Sequence, residues 1–379
     1  MEFITPGKII YGDNALINSA DSIACFGKKA FVVAGRHLLK SGEIKRLTDI
    51  LENKNIDYII YDNITGEPTD LMINEGVRLY KENKCDFLIG IGGGSPIDSM
   101  KAIALLSENG GKCSDYMGGV PECKLPPMVA VPTTAGTGSE ATVSTIITDT
   151  GTRTKMLIKG AVLMPDVSII DAIFTYSCPA NVTAATGLDA LTHAIEAYTS
   201  RRAGMLTDIT AESAVKRIFK YLPEAYRDGS NEIARKEMAI AALEAGISIC
   251  NSSVTIVHGM SRPIGALFHV PHGLSNAMLL PTCLKFAVSG AYDKFAELGR
   301  AVGITGLNDI ETANKFIEEV ENICKICEVV TPAEYGIDRH EFEMNIEKMA
   351  DDALASGSPS NTMRVPDKEE IMELYGQLW

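Results

Sequence analysis

Hydrophobic positions in the first half of the chain come in short runs separated by amphipathic stretches. KAFVVAG (29–35), IDYIIYD (56–62) and CDFLIGIGGG (85–94) are apolar runs of strand length, the pattern of strands buried on both faces. Between and after them, SGEIKRLTDILENK (41–54), a stretch near 69–83 and PIDSMKAIALLS (96–107) repeat apolar residues at helical spacing. PMVAVPTT adds a strand. ATVSTIITDTGTRTKMLIKG reads as a hairpin around Asp149–Thr152, and DVSIIDA closes the series near 172. Strands alternating with helices in this way predict a parallel sheet wrapped by helices.

After SCPANV the period changes. Apolar residues recur at helical spacing over 181–200, 207–221, 231–257, 275–289, 291–302, 309–327, 339–355 and 367–376. The expected architecture is an α/β domain with a parallel sheet over residues 1–176 and an all-α domain over 177–379, with a ligand cleft between them. A chain of 379 residues is long for one core and suits two.

Composition narrows the class. Forty-six per cent hydrophobic and 22% charged residues describe a soluble globular protein, and a net charge of −14 argues against a nucleic-acid partner. No stretch approaches the roughly 18 apolar residues of a membrane span, and MEFITPGKIIYGDNA lacks the regions of a secretory signal. The nine cysteines, an odd number, are expected to be reduced thiols in the cytoplasm. Cys324 and Cys327 have redox spacing but sit in a helical segment, and read as ordinary buried cysteines.

Two turns look suited to a phosphate-bearing ligand. GIGGGSPIDS follows a strand and opens a helix: Gly92, Gly93 and Gly94 permit close backbone approach, Ser95 can cap, and the helix start offers free N–H groups. It is not GxGxxG, so a tight βα turn remains the alternative. VPTTAGTGSEAT (131–142) supplies hydroxyls from Thr133, Thr134, Thr137 and Ser139, forming a possible second wall. In the helical half, Asp189 and His193 lie four apart on one helix face, and His258, His269 and His272 follow in a short segment. A carboxylate with three imidazoles makes a divalent transition-metal site with an open position, against the alternative of a buried polar network. Spacing does not separate Fe2+ from Zn2+.

These residues carry a resemblance. GGGSPID, PTTAGTGSE, ATGLDALTHAIEAY and HGMSRPIGALFHVPHGLSNA resemble, in order and spacing, the iron-containing (group III) alcohol dehydrogenases, over essentially the whole chain. The resemblance implies a Rossmann-like N-terminal domain and an all-helical C-terminal domain. It implies metal ligands at Asp189, His193, His258 and His272, and cofactor pyrophosphate at Gly93, Gly94 and Ser95 with Asp98. It also places Thr133, Thr134 and Thr137 on the nicotinamide side, with Lys155 as the basic residue of the hairpin.

Two positions depart from the family pattern. Many NAD-using members end the first strand with an aspartate; here Gly35 is followed by Arg36, His37, Lys40 and Ser41. That turn favours NADP(H) over NAD(H). Many members carry a histidine four residues after the HG histidine, where this chain has Arg262. Arginine is no general base, so proton transfer would use water, ribose hydroxyls or His269; the alternative role for Arg262 is recognition of a carboxylate on the substrate. The expected protein is a homo-oligomer, dimer or larger, that interconverts small primary alcohols and aldehydes by hydride transfer, with the substrate oxygen on Fe2+, Zn2+ being the other candidate. The alternatives are a glycerol dehydrogenase-like or dehydroquinate synthase-like zinc enzyme, or a non-redox metal-dependent lyase or hydrolase.

Overall fold

The structure, a computed structural model, describes residues 2–152 and 154–379. The chain divides into two compact units, Ile4–Tyr176 and Ser177–Trp379 with the N-terminal tip.

In the first unit, β1 (Lys8–Tyr11), β2 (Lys29–Gly35), β3 (Asp57–Ile64), β4 (Phe87–Gly92), β5 (Met128–Pro132) and β8 (Val167–Ile170) form one sheet in the order β1-β8-β5-β4-β2-β3. Every pairing is parallel. Helices α1 (Lys45–Asn53), α2 (Asp70–Glu82) and α3 (Gly94–Asn109) connect successive strands. β4 and β5 are buried at every position, which is why they read as unbroken apolar runs. Their side chains alternate between two cores: Leu88 joins Phe31, Val33 and the helix residues Met100 and Ile103 on one face. Phe87, Ile89 and Ile91 join Val32, Val129 and Ile169 on the other. β6 (Ser144–Thr148) and β7 (Lys155–Lys159) form the expected antiparallel hairpin, and Asp149 Oδ1 accepts from the Gly151 and Thr152 N–H groups in its turn.

The strand order reverses direction between β2 and β4, where Ala34 pairs with Ile91. At such a switch point the carboxyl ends of two neighbouring strands lead into turns that diverge, leaving a crevice above the sheet edge.

The second unit is helical: α4 (Ala180–Thr199), α5 (Met205–Arg227), α6 (Glu232–Asn251), α7 (Ile256–Phe268), α8 (His272–Ala287), α9 (Tyr292–Ala301), α10 (Asp309–Ile326), α11 (Arg339–Ala355) and α12 (Lys368–Gly376). From Thr183 onward α4 is buried nearly all round, so polar residues on it sit inside the unit. The single helix expected over 231–257 is corrected: the chain leaves α6 at Asn251 and turns by 102° into α7. Ser252 and Thr255 take non-helical backbone angles there, and the Ser252 hydroxyl donates to the Ala197 carbonyl of α4 at 2.9 Å. No single helix among the described residues is long and apolar enough to cross a membrane.

Candidate functional site

On α4, Asp189, His193 and Glu196 occupy one stripe at i, i+4 and i+7. Asp189 is 2% exposed. Its carboxylate meets side chains from α7 and α8: Oδ1 lies 3.7 Å from His258 Nε2, 3.8 Å from His272 Nε2 and 3.8 Å from His193 Nε2. The ligand atoms of Asp189, His258 and His272 all lie within 4.8 Å of one another. His193 stacks its ring on that of His258, with centroids 4.6 Å apart. The Asn276 amide nitrogen, one turn along α8 from His272, is 2.7 Å from Asp189 Oδ1 and 3.1 and 3.3 Å from Nε2 of His258 and His272. The ligand atoms of Asp189, His258 and His272 therefore converge on one small volume, with His193 beside it.

Two positioning residues were not singled out from the sequence. Glu196, 1% exposed, sets Oε2 2.6 Å from His258 Nδ1. Its Oε1 accepts from the Thr255 hydroxyl at 2.8 Å and the Val257 N–H at 2.7 Å. Glu196 thus caps the start of α7 and also holds the ring so that Nε2 faces Asp189, the arrangement that orients metal-bound histidines. The signal available in the sequence was the stripe Asp189–His193–Glu196 itself. The other residue is Asn276, a fully buried amide in an apolar helix.

The electrostatics suit a cation. Burial alone would push the Asp189 carboxyl up, but His193, His272 and His258 outweigh it and hold it well below its ordinary range. Burial likewise opposes a charged His258, yet Glu196 and Asp189 raise that imidazole to about 9. A pocket that favours positive charge on an imidazole, built from one carboxylate and imidazole nitrogens, fits a divalent transition metal.

In the α/β unit, three turns stand side by side at the carboxyl edge of the sheet. Gly35 ends β2, with Arg36 exposed beyond it. The Arg36 guanidinium donates to the Asp62 carbonyl at 3.3 Å and to Asn63 Oδ1 at 3.1 Å. Gly92 ends β4 and pairs with Pro132 of β5, and the Thr133 N–H donates to its carbonyl at 2.9 Å. At φ +154° a Cβ on Gly92 would lie 2.5 Å from Pro96 Cγ, so no side chain fits. A Cβ on Gly94 would lie 3.1 Å from Thr137 Cγ2, and one on Gly93 would lie 3.4 Å from Thr134 Oγ1. The threonine loop therefore packs against the glycine turn. Gly93 is the N-cap of α3 and supplies no side-chain cap, leaving the N–H groups of Gly94 and Ser95 without a helical acceptor beside the crevice, a fit for a phosphate group.

Asp98 faces the hairpin: its Oδ2 accepts from the Ile146 N–H at 3.0 Å, and burial pushes its carboxyl up. Lys155 pairs with Glu67 at 2.6 Å. The wholly buried Lys101, passed over in the sequence, donates to the carbonyls of Ser139, Thr142 and Ser144 at 2.6, 2.7 and 3.0 Å, and so pins the chain that follows the threonine loop. Its neighbour Glu140 is 1% exposed with Oε2 unbonded, and burial raises that carboxyl to about 7.

The structure does not bring every candidate into the metal cluster. His269 is exposed in a left-handed conformation at the end of α7, and its carbonyl accepts from the Tyr335 hydroxyl at 3.3 Å. Arg262, one turn beyond His258, donates from Nη1 to Ser358 Oγ at 3.1 Å.

Two family descriptions match the chain: that of the iron-containing alcohol dehydrogenases over residues 6–172, and that of the C-terminal region of Fe-containing alcohol dehydrogenases over 183–379. A 1,3-propanediol dehydrogenase of Klebsiella pneumoniae is 33% identical across 99% of this chain and 98% of its own. An NAD-dependent methanol dehydrogenase of Bacillus methanolicus is 33% identical across 98% of each. The solved structure of a 1,3-propanediol oxidoreductase superposes with a TM-score of 0.96 at 33% identity, over 100% of this chain and 99% of that one.

Proposed function

Because the chain belongs to the iron-containing alcohol dehydrogenase family, we propose that it interconverts small primary alcohols and aldehydes, using Fe2+ and preferring NADP(H). The observation that carries this reading is the convergence of Asp189, His258 and His272 within 4.8 Å, backed by the Glu196 contact at 2.6 Å. Asp189, His193, His258 and His272 would hold the metal. The glycine turn at Gly93, Gly94 and Ser95, with Asp98, Thr133, Thr134, Thr137 and Lys155, would hold the nicotinamide cofactor.

When bound, the metal supplies a Lewis acid and the nicotinamide a hydride donor or acceptor. The protein's own share is positioning and exclusion of water. Glu196 keeps Nδ1 of His258 engaged so that Nε2 remains directed at Asp189, and Asn276 steadies the Asp189 carboxylate. Lys101 stiffens the segment after the threonine loop, so that Thr133, Thr134 and Thr137 stay against the glycines. The NADP(H) preference rests on the turn after β2, which lacks a carboxylate at Gly35 and carries Arg36, His37 and Lys40. His269, exposed and off the cluster, leaves solvent or the cofactor ribose as the proton route.

The test is metal analysis of protein purified without oxygen, with turnover of short aldehydes followed for NADPH and NADH. Activity should vanish on chelation and return with Fe2+. Full turnover by the metal-free protein would overturn the reading.

A further inference from the structure

Arg262 and His258 leave the same face of α7, one turn apart, with Cβ atoms about 5–6 Å from each other. The guanidinium is half-buried, yet Ser358 Oγ at 3.1 Å is its one hydrogen-bond partner among the described residues. Other arginines drawn into this unit meet two or more partners. Arg235, 4% exposed, donates to the Gly229 carbonyl, Thr183 Oγ1 and the Cys178 carbonyl at 3.0, 2.7 and 2.9 Å. Arg217 pairs with both Glu237 and Glu244. The carboxylate that influences Arg262 is Glu196, and both its oxygens are taken by His258, Thr255 and Val257.

A guanidinium carries five N–H donors in a planar fork. Withdrawing it from water with one neutral partner is unfavourable unless an anion completes it. The fork matches a carboxylate in a two-pronged contact that lysine cannot reproduce.

We propose that Arg262 receives a carboxylate carried by the substrate, so that the preferred substrates are short aldehyde acids and the matching hydroxy acids. This rests on the dehydrogenase reading above and narrows its substrate class. The one-turn spacing from His258 suits an acid on the order of three to five carbons. In the reducing direction 4-oxobutanoate, reduced nicotinamide and one proton give 4-hydroxybutyrate and oxidised nicotinamide. The aldehyde carbon gains the hydride, its oxygen gains the proton, and the carboxylate is unchanged.

The experiment compares 4-oxobutanoate with butanal in the metal-loaded enzyme, unsubstituted and as Arg262→Gln and Arg262→Lys. Alongside, calorimetry measures 4-hydroxybutyrate binding to each protein in metal-free form. The unsubstituted enzyme should favour the acid in kcat/KM by at least about 10-fold, and the acid-to-butanal ratio should fall on the order of 10- to 100-fold in Arg262→Gln. Arg262→Lys should recover part of that loss, and calorimetric affinity should fall in the same order. Equal use of the two aldehydes, or a ratio indifferent to Arg262, overturns the inference while leaving the dehydrogenase reading intact. If neither aldehyde is reduced, that reading fails. Calorimetry then decides alone: binding lost in Arg262→Gln supports the carboxylate contact, and unchanged binding overturns it.

Discussion

Gly273→Ala isolates the geometry of the metal cluster with a single methyl group. Gly273 follows His272 directly at the start of α8. A Cβ on its backbone would lie 2.4 Å from the Ala185 carbonyl oxygen, 2.9 Å from the Ala185 carbonyl carbon and 3.4 Å from Asp189 Cβ. The two closest atoms belong to the main chain of α4, so no rotamer change relieves the overlap. Restoring ordinary contact requires α8 and α4 to separate by roughly 1 Å where His272 faces Asp189. A ligand constellation tolerates about 0.5 Å. Metal affinity should therefore fall on the order of 100-fold, and stability by about 1–3 kcal/mol.

The assay is chelator competition for Co2+ by metal-free protein, paired with urea unfolding. Gly187→Ala on α4 is the comparator: its Cβ meets the Leu222 side chain at 2.4 Å. It should lower stability without displacing the ligands. If folded Gly273→Ala binds Co2+ as tightly as the unsubstituted chain, the close approach of α8 to α4 does not set the site.

Glu196→Gln keeps the shape of the side chain but loses one strong acceptor, and should weaken metal binding about 10- to 100-fold and alter the visible spectrum of the Co2+ form. Identical affinity and spectrum would remove its positioning role. Gly35→Asp fits without strain, since φ is −71° and its Cβ would lie 3.7 Å from Pro96 Cγ. The new charge should shift the NADPH/NADH ratio of kcat/KM by about one to two decades toward NADH, and an enzyme that already prefers NADH refutes the reading of this turn. For Glu140 the folded pKa of about 7 lies above the ordinary 4.5, so stability is fully present below pH 4.5 and is lost as pH rises toward 7. Glu140→Gln should flatten that decline, with a gain at pH 8 of at most roughly 3 kcal/mol. Parallel urea curves at pH 5 and pH 8 for the two proteins check it, and an unchanged slope would show that Glu140 does not titrate in this window.

Much of this protein is legible in local pattern. The parallel sheet follows from apolar runs at Phe87–Gly92 and Met128–Pro132, because strands covered on both faces have no polar side to show. The pairing of Asp189 with His193, and the bare glycines before α3, are equally local, since helical period and turn chemistry act within a few residues. β1 carries no usable period, because of its four residues at a sheet edge the outer two are exposed and the inner two only partly buried, and its register on β8 is set by a partner more than 150 residues away.

Tertiary structure alone decided the rest. Residues 231–257 look like one helix. The break comes because α4 supplies competing partners: the Ala197 carbonyl for Ser252 and the Glu196 carboxylate for the first N–H groups of α7. The same contact directs His258 toward Asp189, and burial sets the Arg262 fork against Ser358, its one partner among the described residues, while Lys101 donates to three carbonyls. Periodicity determines which side of an element a residue faces. Which groups meet there depends on how distant elements close around them, and a buried charge takes its role from the partners that packing brings within reach.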